Sequence, residues 1–153
     1  MDQNKVKRLV FSADHGGISL KDLLKNAAVQ AEHEVLDLCP TTGESVDYPK
    51  VVQEAVRQFL ASGSDFLILV CGSGVGVCMA ANRHPEIRAV LTDQPYIARL
   101  ARQHNQANCL CLGERVMGRD LAIDVLHTFI TTQPDLAERH QNRVRQLGDL
   151  CPV

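Results

Sequence analysis

The chain has 153 residues, with 16 Lys+Arg against 18 Asp+Glu and a net charge of −2 when histidine is neutral. That length fits one domain over residues 1–153, able to bury about 68–70% of the surface its unfolded form exposes. A composition of 45% apolar and 22% charged residues excludes disorder, the charge balance lacks the basic excess of a nucleic-acid binder, and no apolar run approaches the ~20 residues that span a membrane.

The polar start, Met1 to Arg8, leads only into a short apolar run, Leu9 to Ala13, too brief for a signal-peptide core. A cytoplasmic location with reduced thiols is therefore expected. Val6 to Ala13 reads as a buried strand ending at Asp14-His15-Gly16-Gly17. Ile18 to Ala31 has helical spacing (Ile18, Leu20, Leu23, Leu24, Ala27, Ala28). Glu34 to Leu38 reads as a short strand, broken by Pro40-Thr41-Thr42-Gly43. Asp47 is placed to cap a helix that has Pro49 in its first turn and runs to about Ala61.

Phe66 to Val70 is an unbroken apolar strand, the kind buried on both faces. It runs into Cys71-Gly72-Ser73-Gly74-Val75-Gly76, and a helix follows to about Arg83. Ile87 to Leu91 is a fourth strand, Pro95 to Gln103 a helix, Asn108 to Leu112 a fifth strand and Gly118 to Thr131 another helix. Pro134 is expected to open a last helix to about Leu147. Alternation at this spacing predicts an α/β, Rossmann-like three-layer fold with a five-stranded parallel sheet. The extra C-terminal helix is polar over much of its surface and is expected to pack on a partner subunit.

The six cysteines, Cys39, Cys71, Cys78, Cys109, Cys111 and Cys151, contain no Cys-x-x-Cys pair. Cys78, Cys109 and Cys111 lie in apolar runs and read as small core residues. A strand puts Cys109 and Cys111 on one face as packing, which is preferred to a soft-metal pair.

In open parallel sheets ligands bind beyond the carboxyl ends of the strands. The richest segment there is Cys71 to Gly76. Glycines at alternate positions let the backbone curl and converge its N–H groups at a helix N-terminus, which favours an anion. A thiol at such a place is the reactive kind. The plain alternative is a tight strand-to-helix turn with a buried cysteine. A dinucleotide fingerprint fits Gly72-x-Gly74 but fails at Val77, where its third glycine belongs. A cysteine-phosphatase loop would need Arg at the same position.

Arg139, His140 and Arg143 can grip a phosphate from one helix face, or form a solvated basic face near a helix end. Arg102-Gln103-His104-Asn105 ends a helix, where a histidine is usually structural. Asp14-His15 could handle hydroxyl protons, or Asp14 could cap the helix that follows.

Taken together, the chain resembles type B ribose-5-phosphate isomerases, within the wider group that includes galactose-6-phosphate isomerase subunits. The marks are Asp14-His15-Gly16, Asp47-Tyr48-Pro49, Cys71-Gly72-Ser73-Gly74-Val75-Gly76, Ala80-Ala81-Asn82, Arg102-Gln103-His104-Asn105 and Arg139-His140-x-x-Arg143. Any one alone would be unspecific, but together, in order, they cover Val10 to Arg143. The resemblance implies interconversion of D-ribose 5-phosphate and D-ribulose 5-phosphate through an enediolate, without metal or organic cofactor. It implies Cys71 as the base, because the other branch of the group uses a glutamate where this chain has Val77. It further implies Ser73 as proton carrier, and Gly72, Gly74, Val75 and Gly76 as the anion hole. Asp14 and His104 correspond to ring-opening residues, and Tyr48 and Asn105 to sugar contacts. His15, Arg115, Arg139, His140 and Arg143 correspond to phosphate-side residues. It also implies a homodimer, or a larger assembly such as a tetramer.

A strand of five to six residues spans roughly 17–20 Å. His104, at a helix end, therefore belongs to the sheet edge opposite Cys71, and a site shared across a two-fold dimer is expected. Rival readings are an isomerase of allose 6-phosphate or galactose 6-phosphate, and a non-catalytic sugar-phosphate or nucleotide module. The His104-Asn105 pair, which galactose-type subunits generally lack, favours ribose. A pure binder would not need the thiol.

Overall fold

The structure, a computed structural model, describes residues 5–38 and 44–150. The break expected at Pro40-Thr41-Thr42-Gly43 lies outside those residues, as do Cys39 and Cys151. In chain order the elements are β1 (Arg8–Ala13), α1 (Ile18–Gln30), β2 (Glu34–Asp37), α2 (Tyr48–Ser62), β3 (Phe66–Cys71), α3 (Val75–Ala81), β4 (Ala89–Leu91), α4 (Pro95–Asn105), β5 (Cys109–Gly113), α5 (Arg119–Thr131) and α6 (Glu138–Gly148). The five strands form one wholly parallel sheet in the order β2-β1-β3-β5-β4. This is the expected α/β, Rossmann-like architecture. Among the described residues no helix is long and apolar enough to cross a membrane.

Period-two alternation divides the strand side chains between two cores. Leu9, Phe11, Ala13, Phe66, Ile68, Val70, Leu110 and Leu112 face α1, α4 and α5. Val10, Leu67, Leu69, Cys71, Cys109 and Cys111 face α2 and α3. Fully burying one such side chain contributes about 1.5–3 kcal/mol. A one-residue slip would exchange the two sets, so burial fixes the register. It also aims Cys71 toward the α2–α3 layer. Outside these layers α6 packs on α4.

Helix α1 departs from a purely apolar face. It buries Lys21 beside Leu20 and Leu24, and the ammonium reaches Asp37 at 2.7 and 2.8 Å and Asp22 at 2.9 Å. A buried charge with two carboxylates at hand is tolerable where an unpaired one is not. The pairing also ties α1 to the edge strand β2.

Most boundaries fall within two residues of expectation, and three of the differences have a visible cause. Helix α3 ends at Ala81 because Asn82 is drawn to β4: its Nδ2 donates to the Ala89 carbonyl at 3.0 Å and its Oδ1 accepts the Ala89 amide at 2.9 Å. Strand β4 starts at Ala89, not Ile87, because the Arg88 amide is taken by Asn108 Oδ1 at 2.8 Å. Helix α6 starts at Glu138, not Pro134. Asp135 prevents the earlier start. Its amide donates to the Gln103 carbonyl at 2.9 Å and its Oδ1 accepts the Ala137 amide at 2.9 Å, lashing an irregular segment to the end of α4.

Candidate active site

Strands β1, β3 and β5 are neighbours, so their carboxyl ends deliver three loops to one place. The loops interlock through the backbone. The Asp14 amide donates to the Val70 carbonyl at 3.2 Å, the Glu114 amide to the Cys71 carbonyl at 2.9 Å and the Arg115 amide to the Gly72 carbonyl at 3.0 Å. A Cβ at Gly17 would stand 2.6 Å from the Val70 carbonyl, so only glycine lets the first turn come this close.

At the centre is Cys71, 5% exposed, whose Sγ accepts the Gly74 amide at 3.0 Å. Gly74 itself has φ +78°, the left-handed region that glycine enters without strain. That conformation swings the chain from β3 into α3 and turns its N–H back on the sulfur. The Ser73 hydroxyl is exposed and accepts the Val75 amide at 3.3 Å.

The expected neighbours assemble around this turn. The Tyr48 ring, from the first residue of α2, lies 2.9 Å from where a Cβ on Gly76 would stand. The Arg115 guanidinium carbon lies 3.3 Å from the same point on Gly72. Asp14, almost buried, accepts the Gly16 amide at 2.8 Å. It thus stabilises its own turn and does not cap α1, whose N-cap is Gly17. His15 is exposed, and its Nδ1 accepts the Val46 amide at 3.3 Å. Asp47 precedes α2 as expected but makes no cap bond with its side chain; its carboxylate pairs with Lys50 at 3.2 Å.

The other expected residues stand at the opposite edge. Cys71 pairs with Gly113, at the carboxyl ends of β3 and β5, whereas α4 ends at Asn105 beside the strand starts, where Leu67 pairs with Cys109. Those edges are roughly 13 Å apart by strand rise alone. His104 there stacks on His140 of α6, with ring centroids 4.3 Å apart and planes 1° from parallel. Arg139 Nε donates to His140 Nε2 at 3.2 Å, and Asp135 lies 3.6 Å from the same nitrogen. Arg143 follows on the same helix and adds to the positive field there. Asn105 lines a cavity of 520 Å³ together with Arg83, Arg88 and Leu147, away from the thiol.

Because Nε2 accepts from Arg139, the ring hydrogen of neutral His140 resides on Nδ1, which is buried without a partner among the described residues. Burial first, then His104 and Arg139, hold the His140 ring below its ordinary pKa of 6.5, against the opposing pull of Asp135. An unfolded chain then binds the proton more readily than the folded one. The neutral ring's contribution to stability is complete above pH about 6.5 and is lost as pH falls below that value. The urea midpoint of the wild type is expected to fall between pH 7.5 and 5.5 by more than that of a His140→Phe variant, which keeps a stacking ring but no titration. Equal falls would mean that folding does not lower the His140 pKa.

The other thiols among the described residues are structural. Cys109 and Cys111 are fully buried on one strand face, their sulfurs 3.9 Å apart. Burial pushes the Cys111 thiol up, and contact with Cys111, with burial, pushes Cys78 up. Such thiols are inert. Two features had no signal in the spacing of residues. One is the His104–His140 stack, which joins two motifs through α4–α6 packing. The other is the contact by which Glu114 Oε2, from the strand-end segment Gly113-Glu114-Arg115, accepts the Leu20 amide at 3.0 Å.

Comparison with known proteins bears on the fold and the family. The family model described as Ribose/Galactose Isomerase matches residues 9–147. Ribose-5-phosphate isomerase B of Escherichia coli K12 is 37% identical over 142 residues, spanning 93% of this chain and 95% of that protein. The crystal structure of a ribose 5-phosphate isomerase from Thermotoga maritima superposes with a TM-score of 0.89 at 40% identity, covering 94% of this chain and 99% of the other. The structure of ribose 5-phosphate isomerase B from Anaplasma phagocytophilum gives a TM-score of 0.86 at 43% identity, covering 93% of this chain and 97% of the other. With the match running through both glycine turns and into α6, the chain belongs to the ribose/galactose isomerase family.

Proposed function

We propose that this protein interconverts D-ribose 5-phosphate and D-ribulose 5-phosphate, with Cys71 as the base. The observation that carries the assignment is the Gly74 amide on the Cys71 sulfur at 3.0 Å, inside three interlocked loops. A thiol held there, beside amides that converge on one point, supplies both needs of enolisation: a base and a site for a developing oxyanion.

In this account Asp14 and His104 assist opening of the sugar ring to the free aldehyde. The Cys71 thiolate takes the proton from C2. The C2–H electron pair forms the C1–C2 double bond, and the aldehyde electrons move onto O1 as an enediolate held by the amides of Gly72, Gly74, Val75 and Gly76. The Ser73 hydroxyl moves a proton from O2 to O1. The Cys71 thiol then returns its proton to C1 as O2 becomes the ketone. C2 is oxidised as C1 is reduced, so atoms and electrons balance within the sugar, and no step calls for a metal or an organic cofactor. Tyr48 and Asn105 contact the sugar. His15, Arg115, Arg139, His140 and Arg143 hold the phosphate, whose binding energy orients the reacting carbons.

The active form is a two-fold dimer with shared sites, capable of pairing further into a tetramer. His104, Asn105, Arg139, His140 and Arg143 of one protomer complete the Cys71 site of the other. The roughly 13 Å between the edges supports this. So does the apolar surface left at the rim of the thiol turn, where Val75, Met79, Leu91, Tyr96 and Ile97 are all exposed. The protein acts as one domain in the cytoplasm, on a small phosphorylated sugar and not on nucleic acid or membrane.

The test is formation of ribulose 5-phosphate from ribose 5-phosphate with EDTA present. Sustained turnover is expected. Turnover abolished by EDTA and restored by a divalent cation would overturn the metal-free account. Inactivity on ribose 5-phosphate with turnover of allose 6-phosphate or galactose 6-phosphate would move the substrate within the family. Binding of every sugar phosphate without turnover of any would leave a non-catalytic module.

A further inference from the structure

The loops that carry the chemistry meet at Glu114, a residue without a part in the proton transfers. Helix α1 begins after Gly17, which has no side chain to accept the first-turn amides, so the usual local cap is missing. The Leu20 amide, third in the helix, is taken instead by Glu114 Oε2 at 3.0 Å, from a residue 94 positions along the chain. A carboxylate in that place also complements the positive end of the helix. Through its backbone Glu114 binds the Cys71 carbonyl at 2.9 Å, while Arg115 next to it binds the Gly72 carbonyl at 3.0 Å. On the far side the turn of Asp14 closes against the thiol turn: a Cβ on Gly16 would stand 3.2 Å from the Gly72 nitrogen. One residue therefore holds the Cys71 turn by its main chain and, by its side chain, the first turn of α1, into which the Asp14–His15 turn leads.

We infer that Glu114 is a positioning residue: its carboxylate caps α1 from across the sheet and so sets where Asp14 and His15 stand relative to the Cys71 thiol. The inference rests on the isomerase reading, in which these groups act on one substrate. Errors of about 1 Å between reacting groups cost up to about a hundredfold in rate.

Three variants separate positioning from general stability. Glu114→Gln keeps an acceptor oxygen at the same reach, and its kcat/KM is expected within about threefold of wild type. Glu114→Asp keeps the charge but loses reach, and Glu114→Ala loses both; each is expected to lose about ten- to a hundredfold in kcat/KM, assayed well below the unfolding midpoint. Hydrogen exchange at the Leu20 amide should quicken in the Asp and Ala variants and stay slow in Gln. Wild-type kcat/KM in the Asp variant, or a Gln variant as poor as Asp, overturns the inference, and neither comparison needs the Ala variant to fold. If the wild type does not isomerise ribose 5-phosphate, the functional reading fails. The exchange rates still decide the clamp, since equal rates at Leu20 in all the proteins would overturn it.

Discussion

Replacing Cys71 by serine is expected to lower kcat for ribose 5-phosphate isomerisation by about 10²–10⁴, the range that a positioned general base contributes. The fold should survive. Serine is close in size, and its oxygen can accept the Gly74 amide that now meets the sulfur at 3.0 Å. What serine lacks is a basic form near neutral pH, so proton removal from C2 fails while substrate binding remains. KM should therefore change little, the pattern of an interaction made in the transition state. A continuous assay of ribulose 5-phosphate checks this, with circular dichroism as the control for folding. A variant that stays within tenfold of wild type would place the base elsewhere. Alkylation gives a second view. Wild-type inactivation should be slowed by sugar phosphate, and the serine variant identifies which thiol reacted, since five other cysteines are present.

The second large effect is a recovery. Cys71→Ser and His104→Phe are each expected to be nearly inactive alone; phenylalanine keeps a ring against His140 but carries no proton. Refolded together, their subunits form mixed dimers. One site of a mixed dimer then carries both substitutions, and the other carries neither. With random pairing, half of the dimers are mixed and half of their sites intact, so activity should return to about a quarter of wild type. A mixture no more active than its two components would mean that each site is built within one chain. The experiment asks directly whether the two edges of the sheet, which the fold keeps apart, are joined by association.

What could be read from the residues follows from the range of the forces that shape them. Phe66 to Cys71 are all buried because a central parallel strand is covered on both faces, and that shows locally as an unbroken apolar run. The turn at Gly74 was legible for the same reason: its positive φ is a local demand that glycine meets. Local too are the strand-and-helix alternation and the seat of Pro49 in the first turn of α2. Lys21 was not legible, since its burial depends on Asp37, in another element. The start of α6 is not legible either, because Pro134 is a good opening residue by itself, whereas Asp135 is held by Gln103 from α4. The cap supplied by Glu114 acts over 94 positions, and no period or motif encodes a contact of that span.

The position of β5 between β3 and β4 has a consequence for how the protein comes off the ribosome. A nascent chain that stops before Cys109 carries β3 and β4 with the place between them empty, leaving each with an unpaired backbone row. Such rows are open to pairing with other chains. The last strand made is thus the one that closes the sheet, and it is followed at once by Glu114 and Arg115, whose amides lock the thiol turn. Synthesis past that point closes the sheet and the thiol turn together, with α5 and α6 still to be added, so products truncated before Cys109 should be inactive and prone to associate.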